Sequence, residues 1–463
     1  MRIGNIRDAG ACAKTAMNTL PLLPDSAAAV LAYHNARPVD RVEFLREVLA
    51  LAARLPNTGQ VLNLCKDRYW FAVTLFAAIS RGLLSLLPNS SAPEHLAALC
   101  AGARDLVCLG DQACPPFQHA PYMRVTDTAL DTSSVTPIMP HIPFDQHIAC
   151  VFTSGSTGIP QAHGKTFGRV HQGVATAAER VWSTAGGACA VLGTVPFQHM
   201  YGLESTVLLP ILGGGKLSSR LPFFPTEVTK ALAELPAPRL LVTTPFHLRK
   251  LLDAGIAIPP VAAVVSATAP LSMDLARRAE TQLGAPIMEI YGSTETGQLA
   301  TRRPTVQIEW ETFTGVMLRQ NQGATTAMGG HLESAQVLND VVELISPSSF
   351  RLLDRNANMV NIVGKRSSLA FLNHVISSLP GVRDGVFCMP ERGEGNEVTR
   401  LAAFVVAPGL NSTDITAALR SHLDPVFLPR PIVFLDALPR DGNGKVTAAA
   451  MAALIAEHIA PRT

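Results

Sequence analysis

The stretch Val151-Phe-Thr-Ser-Gly-Ser-Thr-Gly-Ile-Pro160 follows a short apolar run and packs small hydroxyl residues and glycines into one loop. Gly155 and Gly158 let backbone N–H groups turn toward an anion, while Thr153, Ser154, Ser156 and Thr157 add hydroxyl donors without bulk. Phosphate binding is the chemistry such a loop suits. The same residue types fill ordinary surface turns, and on this segment alone the two readings stand level. The overlapping Gly158-Ile-Pro-Gln-Ala-His-Gly164-Lys165-Thr166 approaches the P-loop of nucleotide hydrolases, but it has five residues between its glycines where that motif has four. Pro160 also removes an N–H that a phosphate cradle would use, which argues further against that hydrolase class.

A second segment, Glu289-Ile-Tyr-Gly-Ser-Thr-Glu-Thr-Gly297, repeats the logic: a strand-like run, then glycine, hydroxyls and one carboxylate. Glu295 beside Thr294 suits Mg²⁺ bound to phosphates, because a hard cation prefers carboxylate and hydroxyl oxygen, and Tyr291 suits stacking on a base. Taken singly, a tyrosine at a strand end is more often a core aromatic, and a loop glutamate a solvated charge. Near the C-terminus, Leu438-Pro-Arg-Asp-Gly-Asn-Gly-Lys445-Val446 sets a lysine on a glycine-rich loop that reads as mobile. Lysine is scarce in this chain (positions 14, 66, 165, 216, 230, 250, 365 and 445). A long ammonium arm can neutralise charge on a phosphorus centre, although a lone loop lysine is ordinarily a solvated surface charge.

The elements that must position these segments are those of a well-buried globular enzyme. The chain has 463 residues, 48% hydrophobic and 16% charged, which is enough for more than one domain. Its net charge of +2 and the lack of a Lys/Arg tract exclude an electrostatic footprint for nucleic acid, leaving small molecules or proteins as partners. The eight cysteines (12, 65, 100, 108, 114, 150, 189 and 388) form no C-x-x-C pair and no metal-ligand spacing with histidine, and they read as core residues in a reducing compartment. Charged residues near the N-terminus and the short Ala-rich stretch Ser26–Tyr33 predict no membrane span, so a cytoplasmic protein is expected.

Strand-like runs at His147–Phe152, Cys189–Val195, Leu240–Thr243, Val261–Ser266 and Ile287–Tyr291 alternate with helical patterns such as His171–Val181. Such alternation predicts an α/β fold, with ligands beyond the carboxyl ends of the strands, where the loop after Phe152 would lie. Near Phe350–Arg355 the texture changes to a smaller α+β pattern: Val386–Met389, Leu401–Val406, a helix around Thr413–His422 and Ile432–Leu435. Asn411-Ser412-Thr413-Asp414 marks the start of that helix. Two domains are expected: residues 1–354, with mixed sheets and packed helices, and residues 355–463.

In this order, the three chemical segments resemble the adenylate-forming superfamily of acyl-CoA synthetases, aryl-acid ligases, nonribosomal adenylation domains and firefly luciferase. The likeness extends from Val61-Leu-Asn-Leu-Cys and Arg81-Gly82 to Lys445. It implies ATP and Mg²⁺ as cofactors, with Thr153, Ser154, Gly155, Ser156, Thr157 and Gly158 around the β- and γ-phosphates. It implies Tyr291 stacked on adenine within the motif that includes Gly292 and Ser293, and Thr294 and Glu295 at the α-phosphate and Mg²⁺. Asp340, in Leu338-Asn-Asp-Val-Val-Glu343, resembles the aspartate that holds the ribose hydroxyls, and Arg355 resembles the arginine at the hinge between domains. Lys445 would be the catalytic lysine, carried by a small mobile lid. His199, in Pro196-Phe-Gln-His199-Met-Tyr-Gly-Leu203, resembles a residue lining the acyl pocket, and Ser266-Ala-Thr268-Ala-Pro-Leu271 a segment bordering adenine.

Four segments depart from the family pattern. Gln161 stands where the phosphate loop has lysine, and Lys165 is the nearby candidate for that charge. Leu338-Asn339 replaces the usual Thr-Gly, Asp354 replaces a glycine, and glycines are replaced in the adenine-bordering segment. The resemblance implies two-step chemistry. A substrate carboxylate attacks the α-phosphorus of MgATP and releases pyrophosphate; the thiol of CoA, or the phosphopantetheine of an acyl carrier protein, then attacks the acyl-adenylate. The sub-family resembled is that of stand-alone ligases of aryl polyene-like pathways, which load an aryl or fatty acid on a carrier protein. The alternatives are an acyl-AMP ligase that uses another nucleophile, and a degenerate nucleotide-binding or scaffold protein.

Overall fold

Apolar strands alternating with amphipathic helices build the first of two compact units, Met1–Leu318 with Ala327–Gln336 and Pro347–Ser349; the second comprises Arg319–Thr326, Val337–Ser346 and Phe350–Thr463. The computed structural model describes residues 18–25, 30–88, 93–103, 105–113, 120–126, 132–153, 161–321, 324–355, 359–362, 365–390, 400–423, 425–442 and 444–459. The fold is α/β, as the strand and helix alternation predicts.

The first unit holds two substantial sheets. The smaller runs in the order Gln161–Thr166, His147–Thr153, Leu84–Leu87, Gln60–Asn63, Leu106–Gly110, Tyr122–Arg124, parallel throughout except for its first pair. Helix Arg68–Ser80 packs on it and is buried all round, because its sequence is apolar on every face. It begins at Asp67, whose carboxylate accepts from the N–H groups of Tyr69 and Trp70. The larger sheet contains, as neighbours, Ala190–Gly193, Arg239–Thr243, Ala263–Ser266 and Ile287–Ser293, all parallel. Parallel alignment brings the loops that follow these strands to one edge.

The five expected strands are all present, but His147–Thr153 lies in the smaller sheet, apart from the other four. Sequence periodicity identifies a strand without its sheet, because partners are chosen by long-range packing. Gln161–Thr166 is also a strand, paired antiparallel with His147–Thr153 so that Gln161 faces Thr153. The hydroxyl and glycine loop therefore connects a hairpin; residues 154–160 lie outside the described residues. Helix Phe167–Ala185 extends the expected His171–Val181 in both directions and stops at Gly186, whose φ of 76° suits a residue without a Cβ.

A continuous helical run follows His199: Met200–Leu203, a π turn over Glu204–Leu208, then Leu209–Leu212. It closes tightly on the preceding segment, since a Cβ on Gly202 would lie 2.0 Å from the Pro196 carbonyl oxygen. In the second unit, Asp384–Cys388, Ala402–Val406 and Ile432–Phe434 form a sheet. Leu372, Phe387, Val405 and Leu419 are in its core. Helix Ser412–Arg420 is capped by Asn411 and Asp414 reciprocally, as the local sequence predicts. Among the described residues no helix is long and apolar enough to cross a membrane, and no disulfide joins the described cysteines.

The Gly202 contact yields a test of this packing. Gly202→Ala must push the Met200–Leu212 run away from Pro196, with an expected stability loss of about 1–3 kcal/mol. Denaturant unfolding measures it, and an unchanged midpoint contradicts the close approach.

Candidate active site

The second motif forms a tight turn between strands Ile287–Ser293 and Gly297–Arg302. A Cβ at Gly292 would lie 2.1 Å from the Gly297 carbonyl oxygen, so that position requires glycine. Gly297 has φ 68°, and a Cβ there would meet the Glu204 carboxylate at 2.6 Å. Within the turn, Ser293 N–H donates to Thr296 Oγ1 at 3.0 Å and Thr296 N–H donates to Ser293 Oγ at 3.3 Å. Gly292 and Ser293 are exposed, while Thr294 and Glu295 are partly buried.

Burial alone would raise the Glu295 carboxyl. Its own backbone N–H, the Ser293 hydroxyl and the charges of His163 and Lys165 outweigh that effect and hold it below the usual carboxylate value. Glu295 is therefore an ionised oxygen donor at neutral pH, flanked by hydroxyls, and suits a hard cation. Among the described residues no group of three or more His, Cys, Asp or Glu side chains could hold a metal by itself.

The turn is gripped from several sides. Lys165 is 6% exposed, and its ammonium donates to the Glu295 carbonyl oxygen at 3.0 Å. His163, on the same strand face, places Nε2 3.8 Å from Glu295 Oε1. From the π turn, Glu204 accepts from the Gln298 N–H at 3.1 Å, and Ser205 Oγ accepts from Gln298 Nε2 at 2.8 Å. Burial pushes the Glu204 carboxyl up to about 7, against the opposing pull of Lys165 and the Gln298 N–H. Thr166, next to Lys165, donates both its N–H and its hydroxyl to Glu333.

Tyr291, expected to stack on a base, is 9% exposed with its ring centroid 5.7 Å from that of Trp310. On the same strand Glu289 is buried, accepts from the Leu271 N–H and pairs with Arg302 at 2.7 Å. This ties the Ser266–Leu271 segment to the strand that leads into the turn. Thr268, in the segment whose expected glycines are replaced, has φ 78°, a rare conformation for a β-branched residue. His199 precedes the helical run as its N-terminal cap residue and is partly buried. Two residues later, Tyr201 donates its hydroxyl toward the carbonyls of Thr243 (3.0 Å) and Val265 (3.1 Å), closing over the carboxyl ends of two sheet strands.

Thr153 ends its strand and only its backbone is described; Ser154, Gly155, Ser156, Thr157 and Gly158 fall outside the described residues. In the second unit, Asp340 begins strand Asp340–Ser346, and Arg355 ends strand Ser349–Arg355 with only its backbone described. Lys445 is exposed, but its loop is not free: its N–H donates to Asp441 Oδ1 at 2.8 Å, and its carbonyl accepts from the Asp441 N–H at 2.8 Å. Arg440 donates to the Gly444 carbonyl and forms a forked pair with Asp384, anchoring the turn to the sheet. The glycines that read as mobility serve a bonded turn, in which Gly444 has φ 75°.

Glu204 and the Glu289–Arg302 pair escaped the sequence reading. The available signal for Glu204 was its isolation as the one Asp, Glu, Lys or Arg between Arg180 and Lys216. The Glu289–Arg302 pairing depends on strand register, which the sequence does not display.

The family described as AMP-binding enzyme matches residues 24–324, and the AMP-binding enzyme C-terminal domain matches residues 373–445. A 4-coumarate–CoA ligase of Rhodobacter capsulatus is 28% identical over 297 residues, covering 63% of this chain and 73% of the relative. A 4-chlorobenzoate–CoA ligase of an Arthrobacter species is 28% identical over 149 residues, 31% of this chain and 28% of its own. ATP-bound MatB from Rhodopseudomonas palustris has the same fold, with TM-score 0.77, 16% identity, and coverage of 92% of this chain and 95% of that one. So does the o-succinylbenzoate CoA synthetase MenE from Bacillus subtilis in complex with its acyl-adenylate intermediate, with TM-score 0.75, 17% identity and coverage of 90% and 94%.

The raised Glu204 carboxyl has a measurable consequence. From its ordinary 4.5 to about 7, the folded chain holds a proton that the unfolded chain releases. Stability from this group therefore falls as pH rises through that window and levels off above it. Glu204→Gln should gain about 1–3 kcal/mol relative to wild type between about pH 5 and pH 8. Thermal unfolding across that range checks this, and a pH-independent difference contradicts it.

Proposed function

The chain belongs to the AMP-binding enzyme family, and from that premise we propose that it is an AMP-forming acid–thiol ligase that activates an aryl or fatty carboxylic acid with MgATP. The observation that carries this reading is the ionised Glu295, set among hydroxyls on a rigid turn and gripped by the strand that returns from the hydroxyl and glycine loop. An ionised oxygen donor held by the strand that follows a hydroxyl and glycine segment suits a nucleotide carrying a divalent cation. When bound, Mg²⁺ supplies neutralisation of charge on the phosphate oxygens. Glu295 with Thr294 would hold it, Thr153–Gly158 would wrap the β- and γ-phosphates, and Tyr291, Gly292 and Ser293 would border the nucleotide.

In the proposed first step a carboxylate oxygen of the substrate forms a bond to the α-phosphorus as the bond to the pyrophosphate oxygen breaks. Lys445 donates to the oxygens on which negative charge develops. In the second step a thiol attacks the acyl carbon and AMP departs. Residues 355–463 act in this proposal as the lid that carries Lys445, with Arg355 at the hinge and Asp340 on the ribose hydroxyls. His199 contributes a wall of the acyl pocket. The aryl acids in the names of the coumarate and chlorobenzoate ligases support an aryl substrate. The acceptor is the pantetheine thiol of CoA or of an acyl carrier protein.

ATP–pyrophosphate exchange over a panel of aromatic and fatty acids tests the first step. One class of acid should support exchange, and Lys445→Ala should lower it about a hundredfold or more. Hydroxylamine trapping, with CoA and carrier protein tried in turn, then identifies the acceptor. Failure of every acid, together with no effect of Lys445→Ala, contradicts the proposal and favours a nucleotide-binding scaffold.

A further inference from the structure

A desolvated ammonium is costly unless oxygen and negative charge meet it, and Lys165 is 6% exposed. Its side chain leaves the strand Gln161–Thr166 and ends on the main-chain carbonyl of Glu295, 3.0 Å away. Burial holds this ammonium below the usual lysine value, and the carboxyl groups of Glu204, Glu333 and Glu295 oppose that by favouring its charged form. Two positions earlier on the same strand face, His163 approaches the Glu295 carboxylate. One strand of the smaller sheet thus holds a turn of the larger sheet by its main chain and by its carboxylate. A contact that only joined the two sheets would need no charge, since apolar side chains of similar volume fill such a space without desolvating an ammonium.

We infer that Lys165 is a positioning residue for MgATP: by holding the Glu295 carbonyl it fixes the Thr294–Glu295 turn against the strand that follows the hydroxyl and glycine loop. Gln161, which begins that strand, carries no charge, and Lys165 contributes from the same strand through geometry rather than through contact with the nucleotide. The inference rests on the proposed reading of Glu295 as the carboxylate on the cation side of the nucleotide.

Lys165→Met and Lys165→Arg are compared with wild type by calorimetric titration of ATP with Mg²⁺, the same titration in EDTA, and thermal unfolding. Lys165→Met should weaken MgATP binding about tenfold or more, with a much smaller change for metal-free ATP, and Lys165→Arg should recover most of the loss. A folded Lys165→Met that binds MgATP within about twofold of wild type, or that loses ATP affinity equally with and without Mg²⁺, overturns the inference. Should Lys165→Met not fold, the double variant Lys165→Met with Glu204→Gln removes the ammonium together with a facing carboxylate and is judged by the same titrations. A wild type that binds no MgATP overturns the nucleotide reading itself, a failure distinct from unchanged binding in the variant.

Discussion

The turn that carries Glu295 is held by a buried ammonium whose own stability requires that turn to be where it is. Lys165 donates to a carbonyl 130 positions away in sequence, from one sheet to the other. Glu204 and Ser205 hold the far end of the turn through Gln298, and Gly292 and Gly297 let it close. Each contact constrains the others: a Cβ on Gly297 would strike the carboxylate that holds Gln298. A charged oxygen donor placed this way stays oriented before any ligand arrives, which is the condition for electrostatic preorganisation.

That dependence explains which features were legible in the sequence. Local signals were sufficient where the physics is local. Asn411 and Asp414 cap their helix within one turn of chain, and the apolar runs ahead of the candidate loops fold as strands. The motif Tyr291–Gly297 was legible as a strand followed by a tight, oxygen-rich turn because its glycines and hydroxyls act on their neighbours. The placement of His147–Thr153 in a separate sheet was not legible, nor was the meeting of Lys165, Glu204 and Glu295. Those follow from contacts between distant segments, and a single chain offers only weak signs of them, such as the isolated carboxylate of Glu204 in a long uncharged stretch.

Lys445 shows what local hydrogen bonds add to a reading from composition. Glycine at 442 and 444 suggested a mobile loop, and Arg440 ties the Gly444 carbonyl to Asp384 at its base. In the role proposed for Lys445, a bonded base reduces the conformational freedom lost when the arm is set in place. Tyr291 shows a related point, since most of its surface is already committed to the interior beside Trp310. Residue type suggested a free stacking face, and packing decides how much of that face remains.

The proposed nucleotide site pairs the Glu295 turn with the hydroxyl and glycine loop, and a crystal structure with a non-hydrolysable ATP analogue and Mg²⁺ is its sharpest test. The cation is expected on the Glu295 carboxylate, with the phosphates between that turn and residues Thr153–Gly158. A nucleotide bound elsewhere, or a cation held without Glu295, would contradict it.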